Sequence, residues 1–260
     1  MASPEIGLSM LYSLREPFLV VPKLLNKIGV THIELPDEGL HALNQRRVNK
    51  LKQVAKQLDL DYVVHAPWAG INIANPDPAL RRATLKRLTK SLLYARQLDC
   101  RLWLFHPGMN TPLSHIYPGQ DWQINLESVR ALLKIAKREG VTIAIENVPE
   151  PFPFLMKNVD DFRRFYSELG DDIPMVLDVA HANINNQIQD FVSQFAKKII
   201  HIHASDNNGT QDQHLGIGKG NIDWKNFAKQ LNDIKYRNIV MIESTENVTE
   251  SIQFLQRLFV

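Results

Sequence analysis

The sequence predicts an α/β protein of the (β/α)8-barrel class, with its functional site at the C-terminal mouth of the strands. Three observations carry this expectation. The 260 residues suit one barrel of this kind. Eight short apolar runs alternate with longer segments of helical period. The last six of those runs carry a His, Asp or Glu at or next to their ends, where a buried strand would meet the barrel mouth.

The expected strands are Ile6–Met10, Thr31–Leu35, Tyr62–Ala66, Leu102–His106, Thr142–Glu146, Met175–Asp178, Ile199–His203 and Ile239–Glu243. Several are nearly continuous in apolar residues, as strands covered on both faces should be. Arg47–Leu58 places Val48, Leu51, Val54, Ala55 and Leu58 on one helical face, Leu80–Leu98 does so with Leu85, Leu88, Leu92 and Ala95, and Leu126–Arg138 repeats the pattern. Asp223 is placed to cap a helix through Leu231, and Thr249–Phe259 closes the ring. Alternation of this kind implies βαβ units and a parallel sheet. A doubly wound open sheet is the alternative, but no glycine-rich phosphate loop follows the first strand. Gly108–Asp121 is the longest irregular stretch.

Composition narrows the setting. An apolar fraction of 44% and a charged fraction of 22% are ordinary for a globular chain. The formal charge of +2 neither demands nor excludes a nucleic-acid partner. Cys100 has no second cysteine to pair with, which fits a reducing compartment. The start lacks a basic segment followed by an apolar one, and no run is long enough to cross a bilayer, so the expectation is a cytoplasmic protein without a membrane partner.

The strand ends carry the chemistry. Strand three ends Val-Val-His65, strand four Leu-Phe-His106, strand five Ala-Ile-Glu146, and strand eight Met-Ile-Glu243. Strand six runs Val-Leu-Asp178-Val-Ala-His181, and strand seven His201-Ile-His203-Ala-Ser-Asp206. Side chains alternate along a strand, so His201 and His203 share a face. One strand-end His is usually a hydrogen-bonded structural residue, and one strand-end carboxylate often caps the next helix. Six in succession point instead to a divalent metal, zinc or, where carboxylates dominate, manganese. The first two strands lack such an ending, with Glu34 a lesser candidate. After strand seven, Asp212 and His214 can meet one metal from an extended segment, and Gly218-Lys219-Gly220 reads as a tight loop before the next helix.

This ordered set, His65-Ala-Pro, His106-Pro-Gly, Glu146-Asn, Asp178-Val-Ala-His181, His203-Ala-Ser-Asp206, Asp212-Gln-His214 and Gly218-Lys-Gly220-Asn, resembles the xylose isomerase-like barrel superfamily across nearly the whole chain. The resemblance implies one barrel domain over residues 1–260. Two branches follow from it. The endonuclease IV branch implies up to three zinc ions: His65, His106 and Glu146 on one; Glu146, Asp178, His203 and Glu243 on a second; His181, Asp212 and His214 on the third. It implies hydrolysis of a phosphodiester at abasic sites in DNA, with Trp68, Lys219, Arg46 and Arg47 as rim contacts. The isomerase branch implies one metal on Glu146, Asp178, His203 and Glu243, the two glutamates moving protons as acid and base on a sugar or sugar phosphate. The first branch uses every one of the clustered residues and is the preferred expectation. Against it, the loop after strand two is short and acidic, with Asp37 and Glu38, and Gln213 stands where the endonuclease branch tends to have Arg.

Overall fold

The computed structural model describes residues 3–259. Eight parallel strands close into a barrel in chain order, β1 Glu5–Ser9, β2 His32–Pro36, β3 Asp61–His65, β4 Leu102–Phe105, β5 Ile143–Glu146, β6 Met175–Asp178, β7 Ile199–Ala204 and β8 Ile239–Ile242. Pairing of Glu5 with Ile239 seals the ring. Around it run α1 Val21–Leu25, α2 Gln45–Leu58, α3 Pro78–Gln97, α4 Gln120–Glu139, α5 Val159–Leu169, α6 Val179–Ile184, α7 Ile188–Phe195, α8 Trp224–Asp233 and α9 Val248–Leu258. No helix among the described residues is long and apolar enough to cross a membrane.

Helix boundaries follow local chemistry. Asn44 caps α2 by accepting from the Arg47 amide at 3.0 Å, and Asn158 and Asp161 form a reciprocal capping box on α5. Asp223 caps α8 as expected, accepting from Asn226 at 3.0 Å. Gly140 ends α4 with φ of +68°, a left-handed residue that releases the last turn. Two expectations shift. Helix α4 begins at Gln120, well before Leu126, so a one-turn 3-10 helix at Pro112–His115 and the first turn of α4 break up the Gly108–Asp121 loop. Strand β1 ends at Ser9, and Met10 opens a 3-10 turn.

The strand pleat places the site. One set of side chains packs outward under the helices, among them Ile33, Val64, Trp103, Ile145, Leu177, Ile202 and Val240. The alternate set fills the barrel: Val63, Leu102, Leu104, Ala144, Val176, Ile239 and Met241. Gly7 leaves room for Met241, since a Cβ there would lie 2.7 Å from its terminal methyl. Two residues beyond this plug the same inward columns continue as His65, His106, Glu146, Asp178 and Glu243. A period of two therefore forces a dry apolar floor and a polar ceiling.

Candidate metal centre

The ceiling gathers into three donor sets whose nearest nitrogen and oxygen atoms lie within 4.8 Å of one another: His65, His106 and Glu146; Glu146, Asp178, His203 and Glu243; and His181, Asp212 and His214. In the first, the Nε2 atoms of His65 and His106 stand 3.5 and 3.3 Å from Oε2 of Glu146. In the second, Nδ1 of His203 is 3.1 Å from Oε1 of Glu146 and 3.2 Å from Oε2 of Glu243. In the third, Nε2 of His181 and of His214 lie 3.3 and 3.1 Å from Oδ2 of Asp212. Glu146 belongs to two sets and links them.

The imidazoles are aimed by the backbone. His65 Nδ1 donates to the Ala66 carbonyl at 2.7 Å, His181 Nδ1 to the Asn147 carbonyl at 2.8 Å, and His214 Nδ1 to the Glu243 carbonyl at 3.1 Å. Each leaves Nε2 free to face its carboxylate. Asn147 does more: its side chain accepts from the Asp178 amide at 2.7 Å and donates to the Asp178 carbonyl at 3.0 Å, tying β5 to β6 beside the donor sets.

Donor chemistry suits divalent cations. Oε2 of Glu146, Oδ2 of Asp178 and Oδ1 of Asp212 are buried without a hydrogen-bond partner. Unpartnered carboxylate oxygens in a dry interior are costly, and a cation in each set would satisfy them. Without cations, protons take that role. Burial alone would depress His203, but the charges of Glu243, Glu34 and Glu146 outweigh it and raise the imidazole well above its ordinary range. Burial is likewise outweighed at His181, raised to about 10 chiefly by Asp178 and Asp212, and at His214, raised to about 9 by Asp212. Burial, with the neighbouring Glu34 and Glu146, pushes Glu243 up to about 7 against the pull of His203. Burial lowers His106.

Above the sets opens a cavity of about 370 Å3, walled by Leu11, Trp68, Pro149, Phe152 and Phe154, with no Lys or Arg in its lining. Trp68 meets His65 edge-on, ring centres 4.9 Å apart. Of the other rim residues expected from sequence, Arg46 and Arg47 line a separate surface groove with Phe18, Leu19 and Leu40. Lys219 is exposed on the loop after β7 and does not line the cavity.

The acidic loop after β2 has structural duties. Oδ1 and Oδ2 of Asp37 each accept from the Arg87 guanidinium at 2.8 Å, and Oε2 of Glu38 accepts the Trp68 and Ala69 amides at 2.9 Å. The glycine-bearing loop wraps buried Asp206, which accepts from Gly218 at 2.8 Å and from Trp224 Nε1 at 2.9 Å. A Cβ at Gly220 would fall 2.1 Å from the Asn207 carbonyl oxygen, so only glycine fits. Glu34 and His201, lesser or absent among the expected ligands, form a fourth cluster with His203 deeper in the barrel. Their signal was present in the inward period of β2 and β7, where Glu34 lies two residues before Pro36, which lines the cavity, and His201 two before His203.

The family profile described as xylose isomerase-like TIM barrel matches residues 22–258. A D-psicose 3-epimerase from Ruminiclostridium cellulolyticum is 25% identical over 84% of this chain and 74% of its own length. A probable endonuclease 4 from Aquifex aeolicus is 24% identical over 73% of this chain and 70% of its own. The crystal structure of a D-tagatose 3-epimerase-like protein superimposes with a TM-score of 0.92 at 25% identity, covering 98% of this chain and 96% of that one. The chain belongs to the xylose isomerase-like TIM-barrel family.

Proposed function

We propose that this protein is a metal-dependent phosphoester hydrolase that seats one sugar-phosphate unit over a cluster of up to three divalent cations, with zinc the best match to the donors. The observation that carries this reading is the membership of Glu146 in two of three adjoining donor sets. A one-cation reaction leaves His65, His106, His181, Asp212 and His214 without work. Bound cations neutralise phosphoryl charge and polarise the attacking water. The chain's own groups do the rest. Glu146 is fully buried and held ionised by His203 and His106, which outweigh its burial, so it presents a charged carboxylate that orients a water at the floor of the cavity. Trp68, Phe152 and Phe154 offer aromatic faces to the apolar side of a sugar and exclude bulk water. A cavity of about 370 Å3 suits a single unit, such as an abasic nucleotide extruded from DNA.

A second reading, ketose epimerisation, is supported by the Glu146–Glu243 pair. Their oxygens stand 3.1 and 3.2 Å from His203 Nδ1, so the pair could work together, one carboxylate taking a proton from a carbon and the other, starting protonated, giving its own proton to the opposite face. The absence of a Lys or Arg from the cavity lining also favours a neutral sugar. Metal stoichiometry separates the two when combined with assays on an abasic duplex and on a panel of free ketoses. About three cations per chain with strand cleavage supports hydrolysis, whereas about one with epimerisation overturns it.

A further inference from the structure

His203 is mounted the opposite way round from its neighbours. His65, His181 and His214 each give Nδ1–H to a backbone carbonyl and face their carboxylates with Nε2. His203 faces Glu146 and Glu243 with Nδ1. Its Nε2 meets Oε2 of Glu34 at 2.9 Å, and no backbone oxygen takes that place. Both residues are fully buried, so the contact is charge-assisted and unscreened by water. On the far side stands His201, its Nε2 3.8 Å from Glu34 and without a hydrogen-bond partner.

We propose that Glu34 is a positioning residue: its carboxylate accepts the Nε2 proton of His203 and thereby presents a deprotonated Nδ1 to the Glu146–Asp178–Glu243 set. A carbonyl partner fixes a ring's tautomer. A buried carboxylate fixes it and also raises the basicity of the ligating nitrogen. Strand geometry explains why His203 needs this. It sits within β7, whose backbone oxygens are engaged in the ladder with β6 and β8, so a side chain from across the barrel has to take the proton. This role rests on the metal-centre reading above. It assigns Glu34 no contact with substrate.

The test uses the full chain loaded with cadmium-113 and labelled with nitrogen-15 histidine. Cadmium coupling at Nδ1 of His203 with a proton on its Nε2, beside coupling at Nε2 of His65, His181 and His214, is the expected pattern. Coupling at Nε2 of His203 overturns the inference, since Glu34 would then share a cation with it. Glu34→Gln, close to isosteric, and Glu34→Leu supply a second readout by chelator competition. Zinc affinity of the set containing Asp178 should fall roughly ten- to a hundredfold in Glu34→Leu and less in Glu34→Gln, with the total number of bound cations unchanged. Unchanged affinity in both folded variants, or loss of one whole cation from the set of Glu34, His201 and His203, rejects the positioning role. Wild-type protein that binds no divalent cation rejects the metal-centre reading itself, and this inference with it.

Discussion

Nε2 of His214 stands 3.1 Å from Oδ2 of Asp212, two residues earlier, because the backbone at His214 turns left-handed with φ of +47°. A non-glycine residue adopts that conformation at some cost. Here the turn lets the Asp212 and His214 side chains converge with His181, while the His214 carbonyl accepts from Thr245 at 2.9 Å. His214→Ala should therefore remove one bound cation and leave the other sets filled. Under the hydrolase reading, phosphoester turnover should drop roughly a hundredfold or more. Metal content and turnover measured side by side check this, and full metal content with unchanged epimerisation of a ketose would support the other reading.

Cation affinity should weaken sharply as the pH falls. In the metal-free protein His181 and His214 are protonated below about 10 and about 9 respectively, so a cation entering their set must displace those protons. Each displaced proton changes affinity by about tenfold per pH unit. Calorimetric titration of chelated protein in buffers of different ionisation heat counts the protons released, and a count of zero at pH 7 contradicts the charge states described here.

The same imidazoles set a stability trend in the metal-free protein. Their folded pKa values lie above the ordinary 6.5, so their contribution is complete below that value and is lost as pH climbs through about 9 and about 10. Thermal midpoints of the chelated protein should fall between pH 7 and 10. Cation-loaded protein, whose ligands carry no such protons, should lose less over that range.

Asp178→Asn separates ligation from folding. Oδ1 of Asp178 caps α6 by accepting from the His181 amide at 2.7 Å, and asparagine caps as well as aspartate. The free Oδ2 loses its charge, so the set shared with Glu146, His203 and Glu243 should bind its cation far more weakly and turnover should collapse. Circular dichroism should be unchanged. A wild-type rate in this variant removes Asp178 from the centre.

Asp206→Ala should destabilise the protein by about 3 kcal/mol or more, because it strands a set of buried donors that includes the Gly218 amide and Trp224 Nε1. Denaturant unfolding checks the magnitude. A loss below about 1 kcal/mol would mean the loop refolds around other partners.

The barrel was legible because its signal is repeated: eight apolar runs and the amphipathic segments between them leave little freedom, and all eight expected strand starts fall within one residue of those observed. The gathering of these side chains at the mouth was legible for the same reason, since the pleat carries the strand-end polar groups inward. Rim residues were less so. Arg46 and Arg47 lie at the start of α2, and nothing in local spacing tells whether that turn faces the cavity or the groove beside Phe18. Asp37 and Glu38 look like a charged rim in sequence, yet their partners Arg87 and Trp68 lie 50 and 30 residues away. Glu34 was undervalued because its strand runs on to Leu35 and Pro36, which hides that Glu34 faces inward.

The inward columns make this centre sensitive to frame within a strand in a way that side-chain volume does not capture. A single residue inserted between Val63 and His65, or between Ala144 and Glu146, exchanges the inner and outer faces of everything beyond it. The apolar half tolerates that exchange, because both faces of each strand are hydrophobic. The polar donor beyond it does not, because it ends under a helix. Indels within strands should therefore yield folded but metal-blind barrels, and the lengths of the strands, more than those of the loops, are what heredity has to hold fixed here.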